Sequence, residues 1–323
     1  MKVTLGLSCM SALIPVFVHG LKYEAADVIG IDLRPVQREP LPTFAPGAHI
    51  DLHLAGGLIR SYSLVSPPSC LHQYSICVQV AQKGRGGSRY IYDALKIGSE
   101  LNISAPRNNF RLDETAHQSV LIAGGIGITP IFSMLDHLRA LGRSVEVLYC
   151  ARSRRAAAFV DRLQDIDAVT LHFDDEARSA FPLEKYLAER SADAHFYCCG
   201  PASMLEAFES ACMRLGLPNW HIERFSSATP RPAQHRTYEV ELRKSGRVLE
   251  VRPGHSLLET VLAAGIDCDH ACKEGICGAC ETSVIEGSPE HRDAVLTQAE
   301  RATNTRMMIC VSGSLEPRLV LDL

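Results

Sequence analysis

Four cysteines near the C-terminus are the residues best spaced to do chemistry. Cys272, Cys277 and Cys280 stand as C-x4-C-x2-C, and Cys310 follows further on. Plant-type [2Fe–2S] clusters use that spacing, with four thiolates converging on two irons, and carry one electron at low potential. Gly275, Gly278 and Ala279 keep the loop free of bulk. Glycine also reaches backbone angles that other residues avoid, so the loop can wrap an inorganic core and turn its amides toward the sulfurs. Zinc is the competing reading, but zinc knuckles favour paired C-x2-C units, and only one pair here has that spacing. Cys268, four residues before Cys272, is either a spare thiol beside the loop or an alternative ligand.

Two further stretches suit phosphates and nucleotides. Arg60-Ser61-Tyr62-Ser63-Leu64 reads as a strand, and Gly84-Arg85-Gly86-Gly87-Ser88 leads into a short helix. Glycines ahead of a helix present amides at the positive end of its dipole. With the Ser88 hydroxyl and the Arg60 charge they suit a phosphate, and Tyr62 offers an aromatic face. Gly124-Gly125-Ile126-Gly127-Ile128-Thr129-Pro130 lies between a buried-type strand and a helix, where the backbone can approach a pyrophosphate. It is not G-x-G-x-x-G, so the generic dinucleotide fingerprint does not strictly apply; Pro130 suits the first helical turn. Cys199-Gly200-Pro201 ends a later strand, at the sheet edge where open α/β folds bind ligands. Each piece alone has an ordinary reading: a core tyrosine, a glycine turn, a small buried cysteine.

The elements that must position these residues fall into three blocks. Val16–Ala25, Val28–Arg34, His49–Leu54, Arg60–Val65 and Tyr74–Gln82 read as strands punctuated by Pro and Gly, with one helix at Arg89–Leu95. Short, regularly spaced strands predict an antiparallel β-barrel. Strands at Ser119–Ala123, Val145–Cys150, Val169–Phe173 and Ala194–Cys199 then alternate with helices at Pro130–Leu141, Ala156–Leu163, Leu183–Ala188 and Ala202–Leu215. That alternation predicts a doubly wound parallel sheet. Ser226–Arg236, with Pro230 and Pro232, reads as a linker. A hairpin of Tyr238–Arg243 and Val248–Val251 follows, then a helix at Ser256–Ala264 with Ser256 and Glu259 as a capping box. That order suits a small β-grasp fold. The expected boundaries are an N-terminal extension at 1–15, barrel 16–112, α/β domain 113–226, linker 227–237 and cluster domain 238–323.

Composition bounds the class. A chain of 323 residues has room for two or three domains. It is 46% hydrophobic and 22% charged with a formal net charge of −4, which gives no basic surface for nucleic acid. Twelve cysteines in so long a chain suit free thiols in a reducing cytoplasm better than a secreted disulfide scaffold. The apolar run Val3–Val18 behind Lys2 faintly resembles a signal peptide. Thr4, Gly6, Ser8, Ser11 and Pro15 interrupt it, and it is shorter than the ~20 apolar residues of a membrane span. A packed or disordered extension is expected there, with Met10 as an alternative start.

Taken in order, Arg-x-Tyr-Ser-Leu, Ala105-Pro-Arg-Asn-Asn-Phe110, Gly-Gly-Ile-Gly-Ile-Thr-Pro, Cys-Gly-Pro, Glu223-Arg-Phe225, the cysteine loop and Glu290-His-Arg-Asp293 resemble the phthalate dioxygenase reductase family. The resemblance runs from Val16 to Leu323. It implies a multidomain chain: an antiparallel β-barrel flavin domain, a doubly wound α/β NAD domain and a C-terminal β-grasp ferredoxin domain. It implies that Arg60, Ser61, Gly86, Gly87 and Ser88 hold FMN, with Tyr62 flanking the flavin, Ser63 near its N5 edge and Phe225 closing the site. Gly124, Gly125, Gly127, Thr129, Cys199, Gly200 and Pro201 would line the NADH path, with Thr129 facing the flavin and Cys199 by the nicotinamide. Asp174 would accept a hydrogen bond from the adenine ribose and disfavour a 2′-phosphate, although Arg152, Arg154 and Arg155 at a neighbouring strand end could favour one. Gln79 stands where relatives often carry a basic residue near the flavin, and the apolar stretch before Val16 has no expected counterpart.

The resemblance also implies the reaction. NADH gives a hydride to FMN, and the cluster passes single electrons to a terminal oxygenase with a Rieske cluster and mononuclear iron, in a transient contact made by a monomer. The chain is not that oxygenase. Rieske ligation shares two histidines and two cysteines; Cys70-Leu-His72 and Cys268-Asp-His270 mimic one half, but no C-x2-H occurs. Alternatives are a reductase for another acceptor, such as a cytochrome P450 or a flavodiiron-type protein, and a cluster-gated redox sensor.

Overall fold

A computed structural model of the chain describes residues 13–81, 86–226 and 236–323. The apolar N-terminal stretch up to residue 12, Gly84 and Arg85 of the glycine cradle, and residues 227–235 of the expected linker lie outside the described residues. The chain divides into two compact units, Leu13–Phe225 and Ser226–Leu323.

The first unit opens with β1 (Ile14–Ala25), β2 (Val28–Pro35), β3 (His49–Leu54), β4 (Leu58–Ser63), β5 (Tyr74–Gln79), α1 (Gly87–Ala94) and β6 (Glu100–Ile103). The strands form an antiparallel sheet in the order β4-β3-β6-β1-β2-β5. Its edges meet where Leu64 bridges Ile76 and the Val65 amide donates to the Ser75 carbonyl at 2.8 Å, which closes a barrel. Successive residues of a strand face opposite sides, so Val16 and Val18, Ile31 and Leu33, Ile50 and Leu52, and Tyr74, Ile76 and Val78 fill one core. Ile91 of α1 joins that core.

The same unit continues through β7 (Gln118–Gly124), α2 (Ile128–Ala140), β8 (Ser144–Ala151), α3 (Val160–Leu163), β9 (Val169–Phe173), α4 (Asp174–Ala177), α5 (Leu183–Ala188), β10 (His195–Cys199), α6 (Ala202–Leu215) and β11 (Trp220–Glu223). The five strands are parallel, in the order β11-β10-β7-β8-β9. Both faces are buried. Leu121, Val147, Tyr149 and Tyr197 pack on one side, and Val120, Ile122, Leu148 and Phe196 on the other. The strand order reverses between β7 and β10, and a crevice at the carboxyl ends of such strands is the usual ligand site of open α/β sheets.

The expected helix over Ala156–Leu163 is a short 3-10 turn at Arg154–Ala156 followed by α3 alone. Phe159 interrupts it with φ of 64°, a conformation rare for a bulky residue. Its ring packs at a tilt against Phe132 at 4.7 Å and under the Arg162 guanidinium at 4.1 Å, and this packing holds the unusual backbone. Arg162 also pairs with Glu24 of β1 at 3.0 Å, tying the barrel to the α/β layer. Other expected boundaries move by a few residues: β1 begins at Ile14, β4 ends at Ser63 because Leu64 leaves to close the barrel, and β5 ends at Gln79. The short strands β6 and β11 have no counterpart among the expected ones.

The second unit contains β12 (Tyr238–Leu242), β13 (Arg247–Val251), α7 (Leu257–Ala263), β14 (Glu281–Glu286), β15 (Pro289–Glu290), α8 (Gln298–Ala302), β16 (Arg306–Met308), β17 (Gly313–Ser314) and β18 (Arg318–Leu321). Its sheet runs β13-β12-β18-β14-β16, with β12 and β18 parallel, and β15 pairs with β17. Leu257, Leu258 and Val261 turn the apolar face of α7 into the core with Val240, Leu242 and Leu319, the layout of a β-grasp. The capping box is formed: the Glu259 amide donates to Ser256 Oγ at 3.1 Å and the Ser256 amide to Glu259 Oε2 at 2.9 Å. Among the described residues no helix is long and apolar enough to cross a membrane.

Candidate functional site

In the second unit the chain brings the four motif cysteines together. Cys272, Cys277, Cys280 and Cys310 are all buried. The Cys272 thiol adjoins those of Cys277 and Cys310, and Cys310 in turn adjoins Cys280. Backbone amides point at the sulfurs: Glu274 N–H reaches Cys272 Sγ at 3.3 Å and Cys272 N–H reaches Cys277 Sγ at 3.5 Å. Such donors stabilise thiolates. Gly275 holds φ of +69°, and a Cβ there would stand 2.5 Å from Val311 Cγ2. No side chain fits between the loop and the segment after Cys310. Among the described residues no group of three or more His, Cys, Asp or Glu is arranged around a single metal ion. A two-iron cluster asks for something else, two thiolates on each iron, and four buried thiols linked in the order Cys277, Cys272, Cys310, Cys280, with amides aimed at two of them, fit that demand. Cys268 is only partly buried, and burial, helped by the charge of Asp267, pushes its thiol up to about 11.

The first unit assembles its site from separate segments. Gly124 ends β7, Gly125–Gly127 forms a tight turn, and α2 starts at Ile128. Cys199 ends β10, the neighbouring strand. A Cβ on Gly127 would lie 2.2 Å from the Cys199 carbonyl oxygen, and one on Gly124 2.6 Å from Pro201 Cδ. The two motifs therefore touch backbone to backbone at the point where the strand order reverses. Thr129 is buried, and its hydroxyl donates to the Ile126 carbonyl at 3.0 Å. Cys199 is fully enclosed, and burial, then the nearby Glu223 carboxyl, pushes its thiol well above the ordinary range.

On the barrel, Arg60 and Tyr62 share one face of β4. The Arg60 side chain lies across Gly87, where a Cβ would meet Arg60 Nε at 2.3 Å. Only glycine lets the guanidinium lie over the start of α1. Gly86 caps that helix in the left-handed region, and Ser88 Oγ accepts from the Ala81 amide at 3.1 Å. Tyr62 is half-buried against the barrel core, and burial pushes its hydroxyl up to about 12, opposed by Arg60. Ser61 points elsewhere, donating to Asp51 Oδ1 at 2.6 Å. Ser63 is buried, and its Oγ has no hydrogen-bond partner. A buried hydroxyl without a partner is uncommon. The arginine-and-amide cradle and the Tyr62 face fit a polar, planar, phosphorylated cofactor such as a flavin nucleotide, while Ser63, next along β4, faces the side of Asp51 and Ser61. Gln79 is half-buried at the end of β5, and Phe225, the last residue of the unit, is exposed.

One feature lay beyond sequence reasoning. Glu223 on β11 stands in register with Cys199. It is partly exposed as a residue, yet its Oε2 is sealed from solvent without a partner, and burial pushes the carboxyl up to about 8. The sequence signal, an acidic residue before Arg-Phe, could not disclose that enclosure because β11 itself was not foreseen. At the end of β9, Asp174 is exposed and lies 3.3 Å from His172 Nε2. Arg154 is committed there, 4.6 Å over the Phe173 ring and 3.4 Å from Glu176.

Comparison with known proteins follows the same division. Residues 240–313 match the 2Fe-2S iron-sulfur cluster binding domain, and residues 102–222 the N-terminal domain of dimethylamine monooxygenase subunit DmmA-like proteins. The chain is 44% identical over 307 residues to phenoxybenzoate dioxygenase subunit beta of Ectopseudomonas oleovorans, covering 95% of this chain and 96% of that one. It is also 44% identical over 306 residues to tetrachlorobenzoquinone reductase of Sphingobium chlorophenolicum, covering 93% and 94%. Among solved structures, phthalate dioxygenase reductase aligns with a TM-score of 0.71 at 32% identity over 96% of this chain and 98% of that one. An intact type IV self-sufficient cytochrome P450 monooxygenase aligns with a TM-score of 0.89 at 37% identity; the chain spans 41% of its length. The chain belongs to the phthalate dioxygenase reductase family, and it is an electron-transferring oxidoreductase with a [2Fe–2S] domain.

Proposed function

We propose that this protein is the NADH-dependent reductase of a Rieske non-haem iron oxygenase system. It would be a cytoplasmic monomer, with the expected divisions into barrel, α/β layer, linker and cluster domain, that meets its oxygenase only transiently. The observation that carries the reading is the presence, on one chain, of an arginine-and-glycine cradle at α1, a glycine crevice at the carboxyl ends of a parallel sheet and a buried four-thiol loop. A bound FMN would supply the conversion of a hydride into single electrons, and the cluster would relay them.

The chain's own residues bind and orient. Arg60, with Gly86, Gly87 and Ser88, would hold the FMN phosphate by charge-assisted bonds, and Tyr62 would bear on the ring. Gly124, Gly125, Gly127 and Gly200, with Pro201, leave room for the dinucleotide backbone at the start of α2, while Thr129 and Cys199 wall the nicotinamide side. Glu223, neutral at pH 7 with its raised pKa, would hold a proton against the enclosed Cys199. Phe225 would cover the flavin. Asp174 would take the ribose hydroxyls and by its charge disfavour a 2′-phosphate, which favours NADH over NADPH; of the arginines Arg152, Arg154 and Arg155 at the neighbouring strand end, which would favour a phosphate, Arg154 is paired to Glu176.

Purified protein should oxidise NADH with cytochrome c as acceptor and release FMN on heating; flavin-replete protein inert to NADH would end this reading. Turnover reconstituted with candidate terminal oxygenases identifies the partner. A second reading has direct support in the likeness to a quinone reductase and to a P450-fused chain: the electrons could go to a small quinone or a haem. Fast NADH-dependent quinone reduction that survives loss of the cluster would favour the quinone.

A further inference from the structure

We propose that Asp293 is a positioning residue for the iron–sulfur cluster, a buried carboxylate that locks the ligand loop to the segment of the fourth cysteine and biases the cluster toward lower potential. The inference rests on reading Cys272, Cys277, Cys280 and Cys310 as the ligands. Asp293 lies between β15 and α8, and its side chain is wholly enclosed, 0% exposed. A carboxylate in that position is costly unless its oxygens are bonded. Oδ2 accepts from the amides of Val295 at 3.0 Å and Leu296 at 2.8 Å, and Oδ1 lies 3.5 Å from Ser312 Oγ. Arg301 Nη2 and His291 Nδ1 approach the carboxylate at 3.8 Å each, and Arg301 also donates to the Asp293 carbonyl.

These contacts reach both halves of the thiolate set. On one side the Ala294 amide donates to the Gly275 carbonyl at 2.8 Å, inside the loop that carries three of the cysteines. A Cβ on Gly275 would come within 3.1 Å of Asp293 Cα, so the two segments lie backbone against backbone. On the other side Ser312, two residues beyond Cys310, accepts from the Arg292 amide at 3.3 Å and faces Asp293. A turn centred on one carboxylate therefore fixes the distance between the loop and the fourth ligand.

A neutral asparagine could accept one of the same amides and keep the shape. What only the carboxylate adds is charge, in a setting where charges interact strongly because water is excluded. Reduction of the cluster adds a negative charge, and a fixed negative charge packed against Gly275 of the loop opposes it. Arg301 offsets part of this, but its side chain is 37% exposed and screened by solvent. Groups outside the ligand set tune cluster potentials in this way.

The test uses the full chain loaded with flavin and cluster, and a reductive titration of the cluster followed by EPR. Asp293→Asn should keep the cluster absorption and shift the midpoint potential upward. Arg301→Gln, which removes the offsetting charge, should shift it downward. An Asp293→Asn protein with wild-type potential and EPR signature overturns the proposal. If that variant loses the cluster, Arg301→Gln decides alone: a downward shift sustains the proposal and an unchanged potential overturns it. Wild-type protein without [2Fe–2S] absorption would instead remove the ligand assignment beneath it.

Discussion

The two units solve the problem of placing reactive groups in opposite ways. In the cluster unit three of the four motif cysteines sit on one short loop, and local backbone geometry does most of the work: Gly275 in the left-handed region, amides turned to sulfur, a capped helix just upstream. In the barrel and α/β unit the site is assembled from several short motifs that are remote from one another in the sequence. Arg60, Gly87, Gly127, Cys199 and Glu223 come from β4, the start of α1, the turn after β7, and the ends of β10 and β11. There the fold positions the groups, and a single added methyl can separate them. The first arrangement is sensitive to ligand chemistry, the second to backbone spacing.

Removing a thiolate tests the local arrangement with the largest effect. Cys277→Ala should abolish the [2Fe–2S] absorption and the reduction of cytochrome c, while NADH-to-ferricyanide activity persists in the other unit. Gly127→Ala tests the spacing. Its Cβ would fall 2.2 Å from the Cys199 carbonyl, so the β7 turn and β10 must part. NADH-driven flavin reduction should fall by about a hundredfold or more, since a misplacement of ~1 Å costs that much, with cluster absorption intact. Arg60→Ala removes the charged bond proposed for the flavin phosphate, worth about 1.5–3 kcal/mol. Flavin affinity measured by fluorescence should drop by roughly ten- to a hundredfold.

The next effect is one of pH. The Glu223 carboxyl is raised to about 8, against about 4.3 in an unfolded chain. The folded state therefore holds the extra proton between those values, and the stability of the first unit is full below the lower value and declines as pH rises through about 8. Glu223→Gln should flatten that decline when thermal midpoints are recorded across the range. Asp174→Ala should have the smallest effect, a rise in KM for NADH of about fivefold, equivalent to about 1 kcal/mol, with little change in kcat.

Legibility followed the same division. The cysteine loop and the Ser256–Glu259 cap could be read directly, because their geometry depends on residues a few positions apart. Strongly patterned strands such as His49–Leu54 and Val169–Phe173 also match the structure residue for residue, since burial on both faces or in alternation leaves a mark on composition. What failed was decided by distant contacts. Phe159 breaks the helix expected over Ala156–Leu163 because its ring is claimed by Phe132 and Arg162. Ser61 lies in the motif strand but bonds Asp51 of β3, a pairing set by barrel register. Asp293 was visible only as one member of Glu290-His-Arg-Asp293, with nothing to show that it is enclosed.

The sequence by itself determined the cysteine spacing, the glycine turns and the succession of barrel, parallel sheet and β-grasp, because residue spacing, glycine content and hydrophobic period are local properties. Tertiary structure decided which of those groups meet. It laid Gly127 on Cys199, left Ser63 without a partner, enclosed Glu223 and Asp293, and bent the chain at Phe159. Burial and the loss of water belong to no residue alone; they arise only when remote segments pack together.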